Sequence, residues 1–156
     1  MLMRIFRSLT VVAACVAASA HAAEDRWSVG FGQGVAEYAV GSFREGSSHL
    51  ALSCAESGLE PGSVSVDLVR AGFAPRGATP ATFITDEGQV TLSFDAQGWV
   101  RYPNLAAASD FQTLWRLLAS ARTLRVSYGQ GAPMTFPVAG AAELLGGAVC
   151  SEQLAQ

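Results

Sequence analysis

Residues 49–68 read HLALSCAESGLEPGSVSVDL. Leu50, Leu52 and Cys54 share one face of an extended chain, and His49, Ala51 and Ser53 share the other. Gly58, Pro61 and Gly62 break the run, after which Val64, Val66 and Leu68 alternate with Ser63, Ser65 and Asp67. Two alternating runs on either side of a turn predict neighbouring antiparallel strands in a sheet covered on one side.

The same period extends in both directions. Trp27, Val29 and Phe31 alternate with small residues, Gly32-Gln33-Gly34 interrupts, and residues 35–40 resume. Gly30-x-Gly32-x-Gly34 misses the nucleotide-binding spacing and reads instead as a bulge or a close backbone approach. Residues 71–80 hold two glycines and two prolines and read as irregular. Phe83 and Ile84 lead into Thr85-Asp-Glu-Gly88, a hairpin signal. Val90, Leu92 and Phe94 alternate next, and residues 95–98 turn the chain into a strand over 99–102.

At Ser109 the period changes to that of a helix. Ser109 as N-cap with Gln112 three places on predicts a capping box. Phe111, Leu114, Trp115, Leu118 and Ala121 follow at helical spacing, with Arg122 suited to the last turn. Leu124, Val126 and Tyr128, then Met134, Phe136 and Val138, predict a returning strand pair. Gly140 opens a short helix, and Gly146-Gly147 ends it before Cys150. The expected fold is α+β: a mostly antiparallel β-sheet or sandwich with two short late helices and one disulfide.

The N-terminus carries a different signal. Residues 1–7 hold two arginines and no acid, residues 8–20 are small and almost wholly apolar, and Ala20-His21-Ala22 offers a cleavage site. That layout predicts a signal peptide over 1–22 and a single exported α+β domain over 23–156. Val12-Ala13-Ala14-Cys15 also resembles a lipobox, which would place a lipid anchor at Cys15; the short run before it and the apolar residues after it disfavour that route. The expected location is periplasmic or secreted. Cys54 and Cys150 then remain, and in an exported chain they most simply form one disulfide, two buried thiols being the alternative.

All ten basic residues are arginine, as GC-rich codon usage would give. Without Arg4 and Arg7, eight arginines face thirteen acids, a net charge of −5. Such a chain is a poor partner for nucleic acid or anionic membranes, and no later stretch is long and apolar enough to span a bilayer. His49, the one histidine left after the leader, lacks metal-ligand spacing and reads as a solvated strand-start residue. Asp86 and Glu87 read as turn acids, and Asp67 and Asp95 as strand-face and turn acids. No catalytic residue, metal ligand or cofactor is expected.

Two groups remain as candidate contacts. Arg70, Phe73 and Arg76 combine an aromatic ring with two arginines, the composition of a partner-binding anchor, the alternative being that Phe73 folds back onto the sheet. Trp99, Tyr102 and Trp115 are candidate ligand-binding rings if exposed along one groove, and core residues otherwise.

Phe111-Gln-Thr-Leu114-Trp-Arg-Leu117-Leu118, then Leu124-Arg-Val126, then Met134-Thr-Phe136-Pro-Val138-Ala-Gly140-Ala, then Cys150, runs helix, strand, strand, short helix, cysteine. Over this C-terminal third the chain resembles small exported bacterial proteins of the type VI secretion-associated TagO/VasI-like kind, and more loosely the invasion-associated locus B proteins. The resemblance implies a cell-envelope accessory or virulence-linked protein with paired cysteines and no established catalytic centre. The expected function is therefore a non-catalytic periplasmic binding or accessory protein whose partner is another envelope protein. A small-molecule or glycan binder using Trp99, Tyr102 or Trp115 is one alternative. An envelope hydrolase with His49 in a cleft beside a second titratable group is the other.

Overall fold

The alternating runs pair into two antiparallel sheets. The computed structural model describes residues 25–57, 61–71, 79–95, 99–129 and 131–150. Among them β1 (Ser28–Gly32), β2 (Val35–Gly41), β3 (His49–Ala55), β4 (Val64–Val69) and β7 (Trp99–Tyr102) form a five-stranded sheet, ordered β1-β2-β3-β4-β7. The other sheet contains β5 (Pro80–Thr85), β6 (Gln89–Ser93), β8 (Leu124–Tyr128) and β9 (Met134–Phe136), ordered β6-β5-β8-β9. Helices α1 (Ser109–Ser120) and α2 (Ala141–Leu145) come late in the chain. The α+β class, the antiparallel pairing and the two short helices are as the periodicity predicts. No described helix is long and apolar enough to cross a membrane. The leader over 1–22, with Cys15, lies outside the described residues.

Register explains the core. Across the five-stranded sheet, Ala36, Cys54, Val64 and Tyr102 align in one row, Tyr38, Leu52, Val66 and Val100 in the next, and Val40, Leu50 and Leu68 in the third. Leu50, Leu52, Val66 and Leu68 have no exposed surface. From the other sheet Ala81, Phe83, Leu92, Leu124 and Val126 join the same apolar cluster, together with Phe111, Leu114, Trp115 and Leu118 of α1. Trp115 meets Tyr38 edge to face at 4.8 Å, so the helix is locked to the five-stranded sheet by an aromatic pair. Cys54 and Cys150 are disulfide-bonded, which fastens the segment after α2 to β3.

Three local expectations are corrected. Ser109 is the first helical residue and not the cap: Ala108 occupies the N-cap without a side-chain bond. A 3₁₀ turn, Leu105–Ala107, runs directly into the helix, capped by Asn104 Oδ1, which accepts from the Ala107 N–H at 3.0 Å. Gln112 therefore reaches back past the expected cap, and its Nε2 donates to the Leu105 carbonyl at 2.7 Å. The helix also ends before Arg122, whose backbone N–H donates to Asp86 Oδ1 at 2.8 Å. Of the three spaced glycines only Gly34 is a close approach. Its φ is +79°, its carbonyl accepts from Glu56 and Ser57, and a Cβ would collide with Ser57; Gly30 and Gly32 face open space.

Asp86 links the β5–β6 turn to the α1–β8 junction. Accepting the Arg122 N–H does most to lower its pKa; desolvation opposes this, and the Thr123 N–H, its own backbone N–H and the Arg122 guanidinium add to the lowering. A carboxylate favoured in the folded state contributes stability that is complete above the unfolded pKa and disappears as pH falls through the folded one. Asp86→Asn is thus expected to lower the urea midpoint slightly at neutral pH and to leave it unchanged well below the carboxylate range. Parallel loss at both extremes would refute the assignment.

Candidate functional site

Chemistry gathers on the outer face of the five-stranded sheet. The residues alternating with the core rows form three outward rows: Gly41, His49 and Val69; Ser28, Ala39, Ala51, Asp67 and Trp99; Gly30, Glu37, Ser53, Ser65 and Arg101. Most of the centre is glycine, alanine and serine; Ala39 and Ala51 are buried, and Ser53 and Ser65 are half-buried. Larger side chains frame it.

At one end stands an aromatic and charged cluster. His49 is one row diagonal to Asp67 across β3 and β4, and His49 Nε2 lies 3.1 Å from Asp67 Oδ2. Phe43, in the loop after β2, stacks on the imidazole with centroids 4.1 Å apart and planes 22° apart. The expectation of a solvated histidine is corrected: His49 is buried at 8 % exposure because Phe43 covers one ring face and the sheet lies beneath. Phe43 itself is 54 % exposed, one of two large apolar side chains so exposed among the described residues.

At the β7 edge, Trp99 sits opposite Asp67, and the Arg101 guanidinium lies 4.9 Å from the Trp99 ring centroid. Arg101 also borders a shallow cavity of about 420 Å³ with Ser63, Val64, Ser65, Tyr102 and Pro103. The third row thus presents a carboxylate, two hydroxyls and a guanidinium in sequence from β2 to β7.

The residues singled out from sequence fall in different places. Trp115 is a core residue at 1 % exposure, its indole N–H donating to the Leu145 carbonyl at 2.9 Å. Trp99 and Tyr102 lie on opposite faces of β7, three residues apart in an alternating strand. Trp99, Tyr102 and Trp115 therefore do not line one groove. Burial, reinforced by the Asp110 carboxylate, raises the Tyr102 pKa, and burial with Glu56 does the same at Tyr38, so both phenols stay neutral. Arg70 is half-buried, with its guanidinium filling the space where a Cβ on Gly131 would stand. It bridges β4 to the β8–β9 hairpin. Phe73 and Arg76 lie outside the described residues.

Phe43, Asp67 and Arg101 were not singled out from sequence. The available signal was parity: Asp67 shares the outward face of its strand with Ser65, as His49 does with Ala51 on the neighbouring strand. His49 has its second titratable group in Asp67, as the hydrolase alternative requires. The nearest cavity in sequence, about 370 Å³, is lined by Ser47 and Ser48 and not by His49. The Ser48 hydroxyl accepts the Ala71 N–H at 2.9 Å. Among the described residues no group of three His, Cys, Asp or Glu side chains is placed to hold a metal ion.

These features define a class: a two-sheet α+β protein, cross-linked from a central strand to its C-terminal segment, with a framed outer sheet face. Residues 25–145 match the family model of YfjT, and the chain belongs to the YfjT family. Neither a curated protein nor a solved structure matches the chain.

Proposed function

We propose that this protein is a non-catalytic binding or accessory protein of the bacterial envelope, exported by its N-terminal leader, that holds another envelope protein on the outer face of the five-stranded sheet. The observation that carries the reading is the pair of frames at the two ends of a sheet face built from small residues, with Ala39 and Ala51 buried and Ser53 and Ser65 half-buried between them. Phe43 on His49 and Asp67 stands at one end, and Trp99 with Arg101 at the β7 edge. Exposed aromatic and arginine side chains supply most of the energy at protein interfaces, and small residues between them let a partner's backbone approach. His49 is held by Asp67 and covered on one ring face by Phe43, and the cavity lined by Ser47 and Ser48 does not include it, which favours a fixed contact residue over a histidine working in a cleft. The leader, the TagO/VasI-like resemblance and the disulfide favour the envelope as the place of action.

Site-specific photo-crosslinking in the living envelope tests this. A photoreactive residue at Phe43 or Arg101 is expected to trap one and the same protein, whereas one at Thr82 or Thr91, on the outer face of the other sheet, traps none. Adducts absent from both framing positions, or spread equally over the two sheets, would sink the reading. A low-molecular-weight adduct at Trp99 alone would favour the small-molecule alternative.

A further inference from the structure

We propose that β1 is a self-pairing edge, through which two copies of this chain join their five-stranded sheets into one continuous sheet. The proposal concerns the rim at β1 and stands independently of the outer-face reading.

Backbone geometry shows which groups are free. Gln33 and Gly34 have φ of +54° and +79°, positive at both central positions as a two-residue type I′ hairpin requires. The closing pair of such a hairpin, Gly32 with Val35, is hydrogen-bonded, so Gly30 with Glu37 and Ser28 with Ala39 are bonded pairs too. Val29 and Phe31 then turn their N–H and C=O groups away from β2. Trp27 has the same parity, and its N–H does leave the sheet: it donates to the Ala139 carbonyl at 2.8 Å. Among the described residues the rim is therefore closed at Trp27 and open at Val29 and Phe31.

Natural edge strands are usually blunted by charge, proline or a bulge. The sequence of β1, SVGFG, holds no charge and no proline, and its register with β2 is unbroken. Phe31 is 59 % exposed, and among the described residues nothing lies within 4 Å of where a Cβ would stand on Gly30 or Gly32.

The occupant that fits this rim is β1 of a second copy. Antiparallel pairing about a two-fold axis at Gly30 sets Val29 opposite Phe31 of the second copy, and Phe31 opposite its Val29. These are the residues with free backbone groups, so each pair exchanges two hydrogen bonds. Each is also an aromatic–β-branched cross-strand pair, a favoured combination. Gly30 meets its copy at the non-bonded position, where Cα atoms approach to about 4.5 Å. The paired segment ends with Gly32 opposite Ser28, one residue short of the closed rim at Trp27. Glu37, beside Gly30 on β2, lies three strand spacings from its copy, about 14 Å, beyond the screening length of about 8–10 Å.

Light scattering and native mass spectrometry of the disulfide-intact protein over a concentration series test the proposal. The expected result is a dimer that Phe31→Lys converts to monomer without changing the circular dichroism spectrum. Gly30→Cys is expected to cross-link two copies on oxidation, since the Cα separation at the axis suits a disulfide. Ser28→Cys is not, its copies being offset by four residues, or about 13 Å. A monomer throughout, a dimer indifferent to Phe31→Lys, or equal cross-linking at both positions overturns the proposal. So does a monomer that instead takes up an unrelated extended peptide along β1.

Discussion

Cys54→Ala/Cys150→Ala protein is expected to lose about 4–5 kcal/mol of stability and to melt roughly 15 °C below the native chain. The magnitude follows from the sequence separation of 96 residues, which closes most of the described domain into one loop. Opening that loop returns conformational freedom to the unfolded chain. Cys54 is 2 % exposed and sits in the row with Ala36 and Val64, so alanine there keeps the position apolar. The check is the urea midpoint with and without reductant. Reduced native protein and the double variant should unfold together, well below the oxidised protein. Coincident midpoints for the oxidised and reduced native chain would refute the stabilising role.

Trp115→Ala is expected to cost about 3–5 kcal/mol, a large share of the stability of an ordinary domain. Trp115 is among the largest fully buried side chains. Its ring packs on Tyr38 and lies 6.0 Å from Phe111, and its N–H satisfies the last residue of α2. One substitution therefore opens a cavity between α1 and the five-stranded sheet and strands the Leu145 carbonyl. Trp115→Phe separates the two effects: it keeps an aromatic ring and loses the hydrogen bond, for an expected cost of about 1–3 kcal/mol. Chemical denaturation of both variants measures the difference. A loss below about 1 kcal/mol for Trp115→Ala would contradict its place in the core.

Legibility in the sequence followed the range of the interaction. Leu50, Leu52 and Cys54, and Val64, Val66 and Leu68, are inward because alternation is a property of the extended backbone itself. Phe111, Leu114, Trp115 and Leu118 are likewise buried along one stripe of α1. The Ser109 cap failed because the preceding 3₁₀ turn, capped by Asn104, supplies the backbone geometry that a serine cap would have supplied. Trp99, Tyr102 and Trp115 do not share a groove: Trp115 lies on the buried stripe of α1, and an odd spacing of three sets Trp99 and Tyr102 on opposite faces of β7. His49 was misread for a different reason. Its two neighbours, Phe43 and Asp67, lie 6 and 18 positions away, and a loop conformation and a strand register bring them together.

The α+β class, the inward face of the central strands, the helix stripe and the availability of two cysteines to cross-link are legible in the linear string, since period, turn residues and composition are local. The division of the strands between two sheets, the cover of Phe43 over His49 with Asp67 holding it, and the place of β1 at the edge of the described sheet emerge only in three dimensions. Those outcomes depend on which strands become neighbours. Strand order is set by the joint burial of residues distant in the chain, and no local pattern encodes it.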